Sequence, residues 1–216
     1  MTEFYRWRGG TEMLLRHGEG LPVTVLILPA LFEEANRMRR FTVSVMRGLA
    51  DAGIGSILPD LPGTGESLTD MADVALSDWH DAVGAVAETL GKPLLTIAIR
   101  GGALLDSGAD AGWRLASDTG QRLLRDMVRA TALSSGLAPA DLDRQARGQP
   151  TMLAGHTLSA DFYTAFADAV PVKGRYHTAQ LHEAKLWRAA EPGDDPAFVA
   201  AVVSDIANWA KTCAKS

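Results

Sequence analysis

The chain has one cysteine, Cys213, in 216 residues, so it forms no internal disulfide, and no Cys/His spacing has the pattern of a zinc site. Positive charge is not in excess: 21 basic side chains face 26 acidic ones, a formal charge of −5. Nucleic acid and anionic membranes are held mainly by a positive surface field, so neither is an expected partner. The longest early apolar run, Val23 to Phe32, is far too short to span a bilayer. The opening MTEFYRWRGG lacks the apolar core of a signal peptide. A reducing, cytoplasmic setting is the expectation. No G-x-G-x-x-G follows the first buried strand, and the Gly-rich stretch Asp60 to Ser67 lacks the lysine of a phosphate-binding loop. No cofactor and no metal are expected.

What is present is an ordinary globular composition, 47% hydrophobic and 22% charged, with strand and helix patterns alternating along the chain. Segments 4–8 and 12–16 flank Gly9-Gly10, a pair suited to the positive φ angles of a tight hairpin. Val23 to Leu28 is an unbroken aliphatic run, as in a strand covered on both faces. A helix is predicted over 34–52 from the spacing of Met38, Phe41, Val45, Met46 and Leu49, and a strand over 54–58. A helix over 72–90 and a strand over 94–99 follow, the latter running straight into Arg100-Gly101-Gly102 and an apolar helical start. Beyond it the pattern predicts an extended stretch at 113–116, a helix over 119–133 and a loop holding Pro139 and Pro150. A strand over 151–158, a helix over 160–169, an extended segment over 174–181 and a final helix over 195–212 complete the chain. The reading is one α/β domain, 1–216: a doubly wound, mostly parallel sheet with an N-terminal antiparallel hairpin and no cap domain. In such sheets the ligand crevice lies beyond the carboxyl ends of the strands.

Strand, sharp turn and helix around residue 100 have the build of a nucleophile elbow, where a G-x-S-x-G pattern exposes a serine. Here the matching residues are Ala98-Ile99-Arg100-Gly101-Gly102, with Arg100 in the serine's place. A guanidinium stays protonated and cannot attack a carbonyl, so acyl-enzyme chemistry is excluded at this turn. A cation at a helix N-terminus opposes the helix dipole, and an anion beside Arg100 is expected. Glu33 and Glu34, in the loop after the first buried strand, are the predicted partners, accompanied by Asn36, Arg37 and Arg40. Arg100 then serves either an internal salt bridge or a ligand carboxylate or phosphate. Asp60 is expected to accept hydrogen bonds from the amides of its own loop. Of the five histidines, His177 and His182 fall on opposite faces of a strand, and His156 is read as a core or edge residue of the 151–158 strand. None precedes the last helix closely enough to act as a hydrolase base, His182 being the nearest. Arg122, Arg125 and Arg129 recur on one helical face, read as solvated. Cys213 has no basic neighbour except Lys211 to activate it.

Pro29-Ala-Leu-Phe-Glu-Glu-Ala-Asn-Arg-Met-Arg-Arg40, Ala50-Asp-Ala-Gly53, Leu58-Pro-Asp-Leu-Pro-Gly-Thr-Gly-Glu-Ser67 and Ile99-Arg100-Gly101-Gly102-Ala103-Leu104-Leu105 together resemble the α/β-hydrolase-like proteins called "hydrolase 2, exosortase A system-associated". Trp113, Gly120 to Arg129 and Ala154 to Ser159 extend the resemblance over most of the chain from about residue 20. It implies the α/β-hydrolase fold and a bacterial exopolysaccharide and protein-sorting context, with no substrate. The C-terminal Leu186-Trp187-Arg188 matches only loosely. Three readings follow. The first is a non-classical hydrolase or pseudoenzyme holding a small polar or anionic ligand at Glu33, Glu34, Asn36, Arg37, Arg100 and Gly101. The second is an active hydrolase of esters or glycans using Glu33 or Glu34 with Arg100, and the third a protein-interaction or assembly factor.

Overall fold

The computed structural model describes residues 1–181, 186–189, 193 and 195–213. The chain opens with β1 (Thr2–Trp7) and β2 (Gly10–His17), paired antiparallel with Trp7 opposite Gly10. The turn is therefore Arg8-Gly9, one residue earlier than Gly9-Gly10, and neither residue has a positive φ. Gly9 is needed for space instead: a Cβ there would lie 2.1 Å from the Trp7 ring.

Next come β3 (Val23–Leu28), α1 (Glu33–Asp51), β4 (Ile54–Pro59), α2 (Leu76–Glu88) and β5 (Leu95–Ile99). They are followed by β6 (Ala111–Leu115), α3 (Gly120–Ser135), α4 (Pro139–Gly148), β7 (Thr151–Leu153), β8 (His156–Leu158), α5 (Ala160–Asp168), β9 (Tyr176–Thr178) and α6 (Pro196–Cys213). Seven strands form one sheet in the order β1-β2-β4-β3-β5-β6-β9. From β4 onward in that order every pairing is parallel, while β2 meets β4 antiparallel. Side chains alternate across the sheet. Val25, Ile27, Ile97 and Ile99 face α1 and α6, whereas Leu26, Leu28 and Ala98 face α2 and the α3 to α5 segment. That segment shares one core with the sheet, since Leu123, Leu124, Phe162 and Phe166 pack in the same cluster as Leu28 and Trp79.

The structure corrects four local expectations. The helix predicted from residue 72 begins at Leu76, after a 3-10 turn over Met71–Asp73 in which the Asp70 carboxylate accepts from the Ala72 amide. The elbow leads into a single 3-10 turn, Arg100–Leu104, and then a loop in which Asp106 meets Arg114. The Pro139 region is the helix α4: proline occupies its first turn, where the missing N–H costs nothing, and Leu142 and Ala146 are buried. Residues 151–158 are a separate antiparallel hairpin rather than one strand, turning at Ala154 (φ 46°) and Gly155 (φ 84°).

Candidate functional site

The carboxyl ends of β3, β5 and β6 each pass into a residue with left-handed backbone near the turn, Phe32 (φ 54°), Arg100 (φ 53°) and Ala116 (φ 48°). Such angles are strained for residues other than glycine, and they persist where surrounding contacts fix them. Phe32 is held among the rings of Trp79, Phe162 and Phe166, whereas the contacts at the other two converge on the Arg100 guanidinium. Its Nε and Nη2 donate to the two carboxylate oxygens of Glu34 at 3.1 and 2.9 Å, and its Nη1 donates to the Ala116 carbonyl at 2.9 Å. Nη2 also lies 3.1 Å from Asp118 Oδ2, and the guanidinium carbon sits 4.6 Å from the centre of the Trp187 ring. The three charged side chains are only 8%, 14% and 11% exposed for Arg100, Glu34 and Asp118. Burial pushes the Glu34 carboxyl upward, opposed by the hydrogen bonds and charge of Arg100.

The anion expected beside Arg100 is thus Glu34, with Asp118 as a second. Asp118 escaped the sequence reading because it lies on another strand exit, where Asp118-Thr119 reads as ordinary helix-start chemistry. Both oxygens of Glu34 are occupied, which leaves it poorly placed to activate water. Gly101 is set by packing: a Cβ would fall 2.7 Å from Leu123 Cδ1 and 2.9 Å from Leu31 Cδ1.

Two cavities open near this cluster. The larger, about 300 Å³, lies between the start of α1 and the Asp60 loop and is lined by Asn36, Arg39, Asp60, Thr64, Ser67 and His156 among others. The smaller, about 120 Å³, is lined by Glu33, Glu34, Arg37, Met127, Trp187 and Arg188 among others. The six predicted residues are therefore divided. Asn36 faces the larger cavity, Glu33, Glu34 and Arg37 the smaller, and Arg100 and Gly101 line neither. Arg37 Nη1 donates to the Trp187 carbonyl at 3.3 Å, and Glu33 Oε1 stands 3.7 Å from His156 Nε2.

Asp60 accepts from the Glu66 amide at 3.1 Å, as expected of a loop-organising carboxylate, and also from Arg39 Nη1 at 3.1 Å. Gly65 (φ 56°) makes this wrap possible, since a Cβ would lie 2.6 Å from the Asp60 carboxyl carbon. Arg39 is not among the residues that the sequence singles out at this helix start, where Asn36, Arg37 and Arg40 are named instead. His156 escaped the sequence reading because the hairpin turn that carries it was read as continuous strand. It packs edge-on to Phe32, with ring centres 5.5 Å apart.

His182 and part of the segment before α6 lie outside the described residues. His177 bonds Asp205 Oδ2 at 3.2 Å, the oxygen that also accepts from Trp113 Nε1. Among the described residues no group of three or more His, Cys, Asp or Glu is placed to hold a metal ion. Among the described residues no helix is long and apolar enough to cross a membrane. Arg122 and Arg129 of the stripe are 70% and 65% exposed and pair loosely with Asp118 and Asp126.

Burial holds His80 and His156 below the usual histidine value of 6.5, and His17 is lowered for the same first reason. A depressed folded-state value gives stability that is present above 6.5 and lost as pH falls through the folded value. Urea midpoints are therefore expected to fall on acidification from neutrality, and His156→Gln is expected to flatten part of that slope. An unchanged slope in this variant would contradict the burial of its neutral ring.

No protein-family model and no curated protein sequence matches the chain. Solved structures do. The bottromycin epimerase BotH, in complex with bottromycin A2, superposes with a TM-score of 0.54 over 96% of this chain and 98% of its own, at 16% identity. Est1E from Butyrivibrio proteoclasticus, solved with ferulic acid, gives 0.53 over 76% of this chain and 70% of its own, at 16% identity. Alpha/beta hydrolase domain-containing protein 10 from mouse gives 0.54 over 76% and 68%, at 14% identity. Identities this low speak to architecture and not to chemistry. Strand order, the antiparallel N-terminal hairpin, the turn after β5 and these superpositions agree: the chain has the α/β-hydrolase fold.

Proposed function

We propose that this protein is a pseudoenzyme on the α/β-hydrolase scaffold that binds a small polar or anionic ligand beside the start of α1. The observation that carries this reading is the elbow: its nucleophile position holds Arg100, whose guanidinium is spent on Glu34, Asp118 and the Ala116 carbonyl. Ligand recognition then falls to the neighbouring 300 Å³ cavity, where Asn36, Arg39 and His156 supply donors over an apolar floor that includes Leu31 and Phe32. The motif resemblance to exosortase-associated proteins supports a bacterial exopolysaccharide or protein-sorting setting for that ligand, and the single cysteine and acidic balance favour a cytoplasmic one.

A carboxylate-driven hydrolase is a second reading, favoured by Glu33. That carboxylate is 43% exposed, lines the smaller cavity and stands beside His156. One experiment addresses both. Purified protein is expected to show no turnover of ester or glycoside panels and a thermal upshift with one class among sugar phosphates, acyl phosphates and carboxylates. Asn36→Trp, which fills the cavity mouth, is expected to abolish the shift. A flat response across the panel overturns ligand binding, and turnover that disappears in Glu33→Gln establishes the second reading.

A further inference from the structure

A third cavity of about 350 Å³ lies away from the elbow, between α2 and the loop that follows the 3-10 turn at Arg100–Leu104. Its apolar walls are Val83, Ala87, Leu94 and Leu105, and its polar walls include His80 and Thr96. Thr96 interrupts the aliphatic strand Leu-Thr-Ile-Ala-Ile, is 1% exposed, and its Oγ1 is buried without a hydrogen-bond partner. Among the described residues lining the groove it alone carries such an orphan. Leaving a buried hydroxyl unpaired is costly, and valine would fill the same volume on this strand with no polar atom. Gly84 and Gly108 also line the groove, and an added Cβ at either would meet nothing within 4 Å.

The charges around the groove select against anions. Lys92 is paired with Asp110 at 3.3 Å, and both oxygens of Asp106 are held by Arg114. Glu88 adds negative charge at the rim. Burial lowers the His80 value, so its imidazole presents one donor and one acceptor near neutrality.

We propose that this groove is a second binding site, for a small neutral alcohol or phenol whose hydroxyl bonds Thr96 and His80 and whose apolar body lies on Val83, Ala87, Leu94 and Leu105. It is independent of the site beside α1. The test uses phenol, toluene and benzoate as probes in amide NMR titrations of the whole chain. Phenol is expected to shift the amides of residues 83–88 and 105–109 saturably, toluene to bind about tenfold more weakly for want of a hydroxyl, and benzoate to leave these amides unmoved. Thr96→Val is expected to reduce phenol to the affinity of toluene while keeping or raising the thermal midpoint, a gain that a purely structural hydroxyl would not give. Gly84→Leu fills the groove and improves helix propensity, so it is expected to abolish both titrations in a folded protein. Equal affinities for phenol and toluene, saturable shifts that survive Gly84→Leu, or no saturable shift in these amides would each overturn the proposal.

Discussion

Replacing Arg100 by methionine is expected to destabilise the protein by about 3–5 kcal/mol, because it leaves Glu34 and Asp118 as buried carboxylates with no counter-charge. The attraction within the cluster is not itself the gain; desolvating three charges consumes much of it. The loss arises from breaking the set on one side only. Glu34→Gln and Asp118→Asn are each expected to cost less, since Arg100 keeps one carboxylate in either case. The triple variant Arg100→Met, Glu34→Gln, Asp118→Asn is expected to recover most of the loss. Urea unfolding of the four variants against the unsubstituted protein measures this directly, and a loss under about 1 kcal/mol for Arg100→Met would mean that the cluster is solvated like a surface pair. Arg100→Ser is expected to gain no esterase activity: among the described residues the charged groups in contact with that side chain are the carboxylates of Glu34 and Asp118, and none of its contacts there is an imidazole that could take a serine's proton.

The second large effect lies at the far edge of the parallel sheet. Arg114 on β6 donates from Nε and Nη2 to both oxygens of Asp106 at 2.7 Å, with Nη1 on the Val172 carbonyl and the Tyr176 ring 3.5 Å from its guanidinium carbon. The Asp106 side chain is fully buried and that of Arg114 is 8% exposed. Asp106→Leu is expected to cost about 3–5 kcal/mol by stranding the cation, whereas Asp106→Leu combined with Arg114→Met is expected to restore much of that. The tyrosine hydroxyl, which donates to the Asp106 carbonyl at 3.0 Å, should also lose its position. Loss of β9 pairing, read from hydrogen exchange at Tyr176 to Thr178, checks the local consequence. Additive single effects in the double-mutant cycle would show that the two side chains do not act as a pair.

Much of the fold was legible because it rests on periodicities that tertiary context did not override. Val23 to Leu28 is apolar on both faces because helices cover both, and α1 carries its buried residues at the predicted spacing. The failures are also physical. The stretch holding Pro139 and Pro150 reads as a loop, although the first turn of a helix tolerates proline and Pro139 opens one. The Ala154-Gly155 turn was hidden because alanine seldom takes a positive φ. The helix expected after the elbow is a single 3-10 turn, and the ion pair of Asp106 with Arg114 that follows it is not announced by any local pattern. Within the site, sequence spacing placed Glu34 beside Arg100 through the fold analogy, but Asp118 and the division of the candidate residues between two cavities depend on how three loops meet. His156 illustrates the same limit, since it reaches the crevice only by means of a hairpin outside the main sheet.

The left-handed turns at Phe32, Arg100 and Ala116 carry one mechanical implication. A single guanidinium ties the β3 exit, through Glu34, to the β6 exit, through Ala116 and Asp118, with its own strand between them. These three loops are clamped like planks under one bolt and open or hold together. The opposite wall of the larger cavity, the Asp60 loop, is fastened separately, through the Asp60 carboxylate that accepts from Arg39 on α1 and from the Glu66 amide. The turn that in a serine hydrolase carries a nucleophile here carries a fastener.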